Sequence, residues 1–399
     1  MSEGSEMHVR DERRALVAVC YLGMLAFGIV LTTLGAILPS LIARFGMSKT
    51  DAGALFVVMS FGILVGSLVF GPIVDRRGYK GMLLAGVALV ALGLGGIAFA
   101  PSVGVLRVMI ALVGVGGGII NGGTNALVAD VSAGARSAGL SLLGVFFGVG
   151  AVGVPFALSM LLGAFSYSAL IAAVAVVVLI PFVVAAVTRF PAPKQAQGFP
   201  IADAGQLLRD PALLLMGMML FLESGMEITV GGWTATYFHE AMGLDDQRAL
   251  IFLSLYWLGM MLTRLVLGWL LRSASAARVL FACLAVALAG ALLLITTHSI
   301  AAAGAGVFLI GCGLAATYPV VLGFVGDRYA RLSGTAFSVV IVMALVGGMI
   351  LPYATGALGS TYGLRGSFLI IPAALILLST LLGVVTRRLA PSRDAAQPA

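Results

Sequence analysis

The sequence predicts an all-α membrane protein of twelve transmembrane helices, built as two six-helix bundles in a parallel (6+6) repeat. Three observations carry this. Twelve apolar runs are long enough to cross a bilayer, the basic residues concentrate in alternate gaps between them, and the chain overlays on itself at a shift of 197 residues. Composition sets the frame: 61% of the 399 residues are apolar and only 10% charged, against about 25% charged in an ordinary soluble domain. Mean hydropathy is +1.12. So few polar groups could not cover a water-soluble globule, which excludes a soluble enzyme, a nucleic-acid-binding domain and a disordered chain.

A spanning helix needs roughly 20 mostly apolar residues. Such runs fall near 15–38, 52–74, 81–100, 103–128, 139–163 and 168–188, and then near 212–237, 249–270, 277–297, 300–325, 334–358 and 366–386. None alternates as a barrel strand would. The first run is too long for a signal sequence and lacks a cleavage site. Twelve spans place both termini on one side. The gaps on that side hold 17 Lys or Arg and those on the other hold 5, which predicts a plasma (inner) membrane protein with both termini in the cytoplasm. The net charge of +7 is therefore a topology signal. The longest gap, 189–211, is polar and carries four prolines. It reads as a cytoplasmic linker between an N-terminal bundle, 1–188, and a C-terminal bundle, 212–399.

The repeat is explicit in the residues. Gly62 and Gly71 fall on Gly259 and Gly268, Gly114 and Gly116 on Gly311 and Gly313, Asp130 on Asp327, and Pro155 on Pro352. Parallel repeats of this kind belong to alternating-access carriers with a site at the bundle interface. The gap after span 2 reads Gly71-Pro-Ile-Val-Asp75-Arg76-Arg77-Gly78-Tyr79-Lys80. This resembles the G-x-x-x-D-[RK]-x-G-x-[RK] loop of the major facilitator superfamily. The resemblance implies a cytoplasmic latch, built on Gly71, Asp75, Arg76 and Gly78, that stabilises the outward-open state. It also implies that spans 1, 4, 7 and 10 line the cavity. In the second half Arg272 stands where Asp75 would fall. Arg107, near the start of span 4, resembles the superfamily's span-4 arginine and is expected to cap or gate.

Only Glu223 and Glu227 are acids deep within a span, and they share one face of span 7 at i,i+4 spacing. A charge at bilayer depth costs about 3 kcal/mol on insertion scales. Two on one face should therefore point into a cavity, where such groups couple transport to a cation. Arg264, the one basic residue well inside a span, is expected to neutralise one of them; pairing with an anionic solute is the alternative. Ala26 and Val30 hold the matching positions in span 1, and Ser67 matches Arg264, so the charges are not part of the duplicated scaffold.

The stretch from Glu223 through Glu227 to Gly231-Gly232-Trp233 and Tyr237, with the span-10 stretch Gly311 to Tyr318-Pro319, resembles the fucose-permease-like branch of the superfamily. That resemblance implies sugar import driven by a cation. The branch's fucose permease also carries acids on spans 1 and 4. Here those spans offer Thr32 and Thr33, and Asn121 and Asn125, which leaves ion and solute open. Sugar sites combine aromatic faces with amides and hydroxyls. The candidates are Asn121, Asn125, Trp233, Tyr237, Tyr256, Tyr318, Tyr353 and Thr33. His8, His239 and His298 stand apart from one another and receive no role, and Cys20, Cys283 and Cys312 read as buried hydrophobes.

The chain thus reads as a secondary active transporter rather than an enzyme. The expected activity is H⁺- or Na⁺-coupled uptake of a sugar or sugar-like polar solute; a proton-driven exporter of drugs or metabolites stays open as the alternative. No cofactor, metal or nucleic acid is expected. The partners are a small solute and membrane lipids, and the protein is expected to act as a monomer.

Overall fold

The computed structural model describes residues 3–131, 136–191, 209–329 and 332–389, and among these no strand occurs. Most of the expected linker, 192–208, lies outside them. The first half forms α1 (Glu3–Phe45), α2 (Lys49–Arg77), α3 (Tyr79–Phe99), α4 (Val103–Val131), α5 (Arg136–Leu161) and α6 (Tyr167–Val187). The second half forms α7 (Pro211–Glu240), α8 (Asp246–Ser273), α9 (Ala276–Thr296), α10 (Ile300–Leu314), α11 (Thr317–Arg328), α12 (Ser333–Ser367) and α13 (Ile370–Leu389). Twelve spans result, because α10 and α11 are two pieces of the tenth. The break at Ala315–Ala316 sits just ahead of Pro319, whose ring clashes with the carbonyl four residues earlier and whose nitrogen has no proton to donate.

The repeat seen in the residues is also a repeat of contacts. A Cβ on Gly62 would meet Ala111 O, and one on Gly259 would meet Phe308 O. Gly114 lies against Met59 O as Gly311 lies against Tyr256 O, and Gly93 against Met109 O as Gly290 against Gly306 O. Each pair is related by the same 197-residue shift. Glycine is required here because the helix backbones approach too closely for any side chain. Between the halves α2 packs on α12 and α5 on α8, again equivalent under the repeat, while α1 meets α7. Large apolar side chains such as Phe61, Leu92 and Val187 are exposed. On twelve such helices they form the lipid-facing surface of an integral membrane protein.

The two faces of the bundle differ. On the face away from the termini, here the distal face, the halves are closed against each other. Gly35 packs on Gly231 O, the Phe56 and Trp233 rings lie 6.1 Å apart, Lys49 pairs with Glu240 at 3.0 Å, and the Thr50 and Ser360 hydroxyls share a hydrogen bond of 3.2 Å. Tyr167 of the first half donates to Asp246 of the second at 3.2 Å. His239, read from the sequence as isolated, also contacts Asp246, at 2.9 Å. On the basal face, which carries the termini, α7 starts at the N-cap Asp210, which accepts from Ala212 N and from the Tyr329 hydroxyl. Partial burial pushes the Asp210 carboxyl up, but these donors and Arg328 win and leave it below its usual value.

Candidate solute and coupling site

A cavity of about 470 Å³ lies between the halves, on the basal side of this closure. That is the volume of a small-molecule site. Its first-half wall includes Phe27 of α1, Ser67 of α2, Asn121 and Asn125 of α4, and Phe147 of α5. Its second-half wall includes Glu223 and Glu227 of α7, Arg264 of α8, Tyr318 of α11 and Ala344 of α12. The lining is thus wider than spans 1, 4, 7 and 10. Spans 2, 5, 8 and 11 contribute too, because α2 packs on α12 and α5 on α8 where the halves meet.

The charged group is compact. Glycines seat α7 closely on α12, with Gly225 near Gly347 O and Gly347 on Phe221 O. The face carrying Glu223 and Glu227 is left toward the cavity. Both acids lie within three residues of the middle of the 30-residue α7, about 4 Å along the helix axis. Arg264 Nη2 is 3.6 Å from Glu227 Oε2, so the expected internal pair forms with Glu227. The guanidinium lies over the Phe147 ring of the other half, 5.7 Å from its centroid, a cation–π arrangement. Glu223 is 1% exposed, and among the described residues its Oε1 has no hydrogen-bond partner. Tyr256 sits behind, its hydroxyl 3.4 Å from Glu227 O.

Across the cavity Asn125 Nδ2 donates to Asn121 O at 2.9 Å and to Asn121 Oδ1 at 3.0 Å. The pair braces itself on α4. Among the described residues it leaves the Asn121 amide N–H groups and the Asn125 carbonyl uncommitted, a donor and an acceptor together, which suits a hydroxyl.

Of the predicted solute-binding residues, the structure brings Asn121, Asn125 and Tyr318 to the cavity. The others it places elsewhere. Trp233 is fully buried and donates from Nε1 to Pro352 O at 3.0 Å, within the distal closure. Tyr237 is buried, bonds Leu294 O at 3.0 Å and packs on Phe368. Thr33 bonds its own helix at Ile29 O, 2.6 Å away. Tyr353 lies on an apolar outer groove with Val57 and Met349. Tyr256 supports Glu227 from behind the wall. Trp233 and Tyr237 thus tie neighbouring helices together.

The gate residues also divide. Gly78 takes φ 78, ψ 174, a region essentially closed to side chains, and makes the turn between α2 and α3 possible. Gly71 has open space around it. Asp75 is half-buried and Arg76 exposed, and among the described residues neither makes an ion pair. The rest of the loop ties the first half together: Tyr79 donates to Asp130 at 2.7 Å, and Lys80 to Ala186 O and Thr188 O. Arg107 pairs with Asp51 at 3.6 Å on the distal face, inside the first half.

Several contributors escape sequence reasoning. Phe147 and Phe27 look like ordinary apolar span residues. Ser224 is hidden between the two acids, and Ser67 is visible only as the repeat partner of Arg264. Among the described residues no cluster of His, Cys, Asp or Glu could hold a metal ion.

Comparison with known proteins agrees with this architecture. The chain is 22% identical over 359 residues to the Uncharacterized MFS-type transporter YfkL of Bacillus subtilis (strain 168), covering 88% of this chain and 90% of that one. Its fold is similar to that of a mutant form of the nucleoside transporter NupG, with TM-score 0.80, 15% identity, and coverage of 94% and 99%. It is similar also to that of a D-xylose-proton symporter, with TM-score 0.78, 13% identity, and coverage of 92% and 96%. The family model described as Major Facilitator Superfamily matches residues 20–345, more than half of the sequence, and the chain belongs to that superfamily of transporters.

Proposed function

We propose that this transporter takes up a small hydroxylated solute of the sugar class together with a proton, by rocking of the two bundles, 1–188 and 212–399. The single observation behind this reading is the Glu227–Arg264 pair facing the cavity, with Glu223 buried beside it. A carboxylate at bilayer depth must be neutralised before it crosses a low-dielectric barrier. A proton does so without a coordination shell. Na⁺ needs several oxygen ligands and here would sit beside the Arg264 guanidinium, so the arrangement favours H⁺. The Asn121–Asn125 pair supplies hydroxyl recognition, and Phe27 and Tyr318 supply ring faces. This fits the resemblance to the fucose-permease-like branch, and the D-xylose-proton symporter shares the fold. The excess of basic residues on the basal face favours cytoplasmic termini in the plasma (inner) membrane. Action as a monomer among lipids completes the proposal.

Uptake of labelled sugars, polyols and sugar acids into proteoliposomes, under separate H⁺ and Na⁺ gradients, tests this. Accumulation driven by the proton gradient alone is the expected result. A second reading, proton-driven export, is favoured by the apolar remainder of the wall, with Leu31, Ile63, Ile228 and Leu322. It predicts extrusion of lipophilic cations and no sugar accumulation.

A further inference from the structure

We infer that the solute carries a carboxylate, and that this carboxylate replaces Glu227 on Arg264 when Glu227 takes up a proton. The inference rests on the proton-coupled reading above and names its substrate class as a hydroxylated carboxylic acid. Arg264 is the one cation among the residues that line the cavity. Its contact with Glu227 is long, 3.6 Å through a single nitrogen. Among the described residues the guanidinium makes no hydrogen bond. A guanidinium offers five N–H donors in a planar fork matched to a carboxylate, so most of its capacity is unused. Phe147 lies beneath it, the ring centroid 5.7 Å from the guanidinium carbon. The side chain is 27% exposed.

The groups that face Arg264 are few. From α7 they are Glu227 and Glu223, from α8 Tyr256, and from α11 Tyr318; the α2, α4 and α5 walls present Ser67, Asn121, Asn125 and Phe147, none of which carries charge. The hydroxyl-bearing portion of a solute whose carboxylate sits on Arg264 would therefore meet the Asn121 amide N–H groups and the Asn125 carbonyl across the cavity. The exchange balances. One proton binds Glu227 and one monoanion binds Arg264, so the cavity's charge is unchanged. Transport of the loaded site is electroneutral, with one proton per monoanion. Symport of a proton with an uncharged sugar would instead move one positive charge. Solute binding also strengthens as pH falls, because protonation of Glu227 releases the guanidinium.

D-gluconate and D-glucose serve as paired probes of similar size. Proteoliposomes with an inward proton gradient are assayed with each labelled probe, at membrane potentials set to zero and to inside-negative. We expect gluconate to accumulate, glucose not to, and the gluconate rate to be insensitive to potential. In detergent, Glu227→Gln should bind gluconate about 10-fold tighter at alkaline pH and lose the pH dependence, since the competing carboxylate is gone. Arg264→Gln should weaken gluconate binding about 100-fold, and Arg264→Lys less, because the charge stays and the fork is lost. The tightening in Glu227→Gln is a gain that misfolding cannot imitate. Accumulation of glucose without gluconate would overturn the carboxylate assignment and leave the proton-coupled sugar reading standing. Accumulation of neither would overturn both. Gluconate uptake accelerated by an inside-negative potential would overturn the one-for-one exchange.

Discussion

Lys49 Nζ on α2 lies 3.0 Å from Glu240 Oε2 on α7, joining the two halves at the distal face. Neither residue stands out in the sequence, yet they stand at the edge of the closure that Gly35, Gly231, Phe56 and Trp233 form beneath. Both side chains are partly exposed, so the pair contributes at most about 1 kcal/mol. The packing contributes more. Lys49→Ala should therefore raise distal-face opening by no more than about 5-fold. Gly35→Val, whose new side chain would run into Gly231 O, should hold the distal face open. Cysteine accessibility of a probe at Thr50 would rank the two variants, and an equal effect would place the closure in the ion pair alone.

Asp75 is half-buried and, among the described residues, without an ion pair while the cavity lies on its side of the closure. This is the state in which a basal latch would be released. Asp75→Asn should leave solute affinity within about 2-fold, yet lower turnover by about 10-fold by destabilising the opposite state, in which the latch would close. Equilibrium binding beside proteoliposome flux separates the two effects. A loss of affinity equal to the loss of flux would tie Asp75 to folding instead.

The repeated glycine contacts predict a sharp contrast in tolerance. Gly114→Val and Gly311→Val would press a side chain onto Met59 O and Tyr256 O. Each should cost about 1–3 kcal/mol or more of stability through overpacking. Gly268→Ala meets nothing within 4 Å and should be neutral or stabilising, since Ala is the better helix former. Thermal unfolding in detergent would check the order. Equal melting temperatures would mean that the helix pairs slide to make room.

Much of the fold is legible in the sequence because two strong constraints act on it. Only helices and closed barrels satisfy every backbone group in lipid, and runs such as 52–74 and 212–237 do not alternate as barrel strands would. The tight glycine contacts recur at the same offset, so Gly62 and Gly259 announce the repeat. The charged part of the site is legible for the same reason: Glu223, Glu227 and Arg264 are too costly at that depth to be accidental. The aromatic part is not. Trp233 and Tyr237 are on the acid-bearing helix, but each turns toward a carbonyl acceptor on a neighbouring helix, Pro352 O and Leu294 O, because a buried N–H or O–H needs a partner. Spacing along one helix cannot say which neighbour offers one. Phe147 is invisible in the sequence for the converse reason, since nothing local distinguishes a ring beneath a guanidinium from a ring facing lipid.

In the proposed cycle Glu227 is the proton-carrying group that makes transport concentrative. Glu227→Gln keeps the shape of the side chain and removes its titration. Proteoliposomes carrying the parent or this variant, loaded with the same solute, are assayed for accumulation against a gradient and for downhill exchange. The variant is expected to lose accumulation under a proton gradient but to retain exchange. A variant that concentrates solute as the parent does would contradict this role for Glu227.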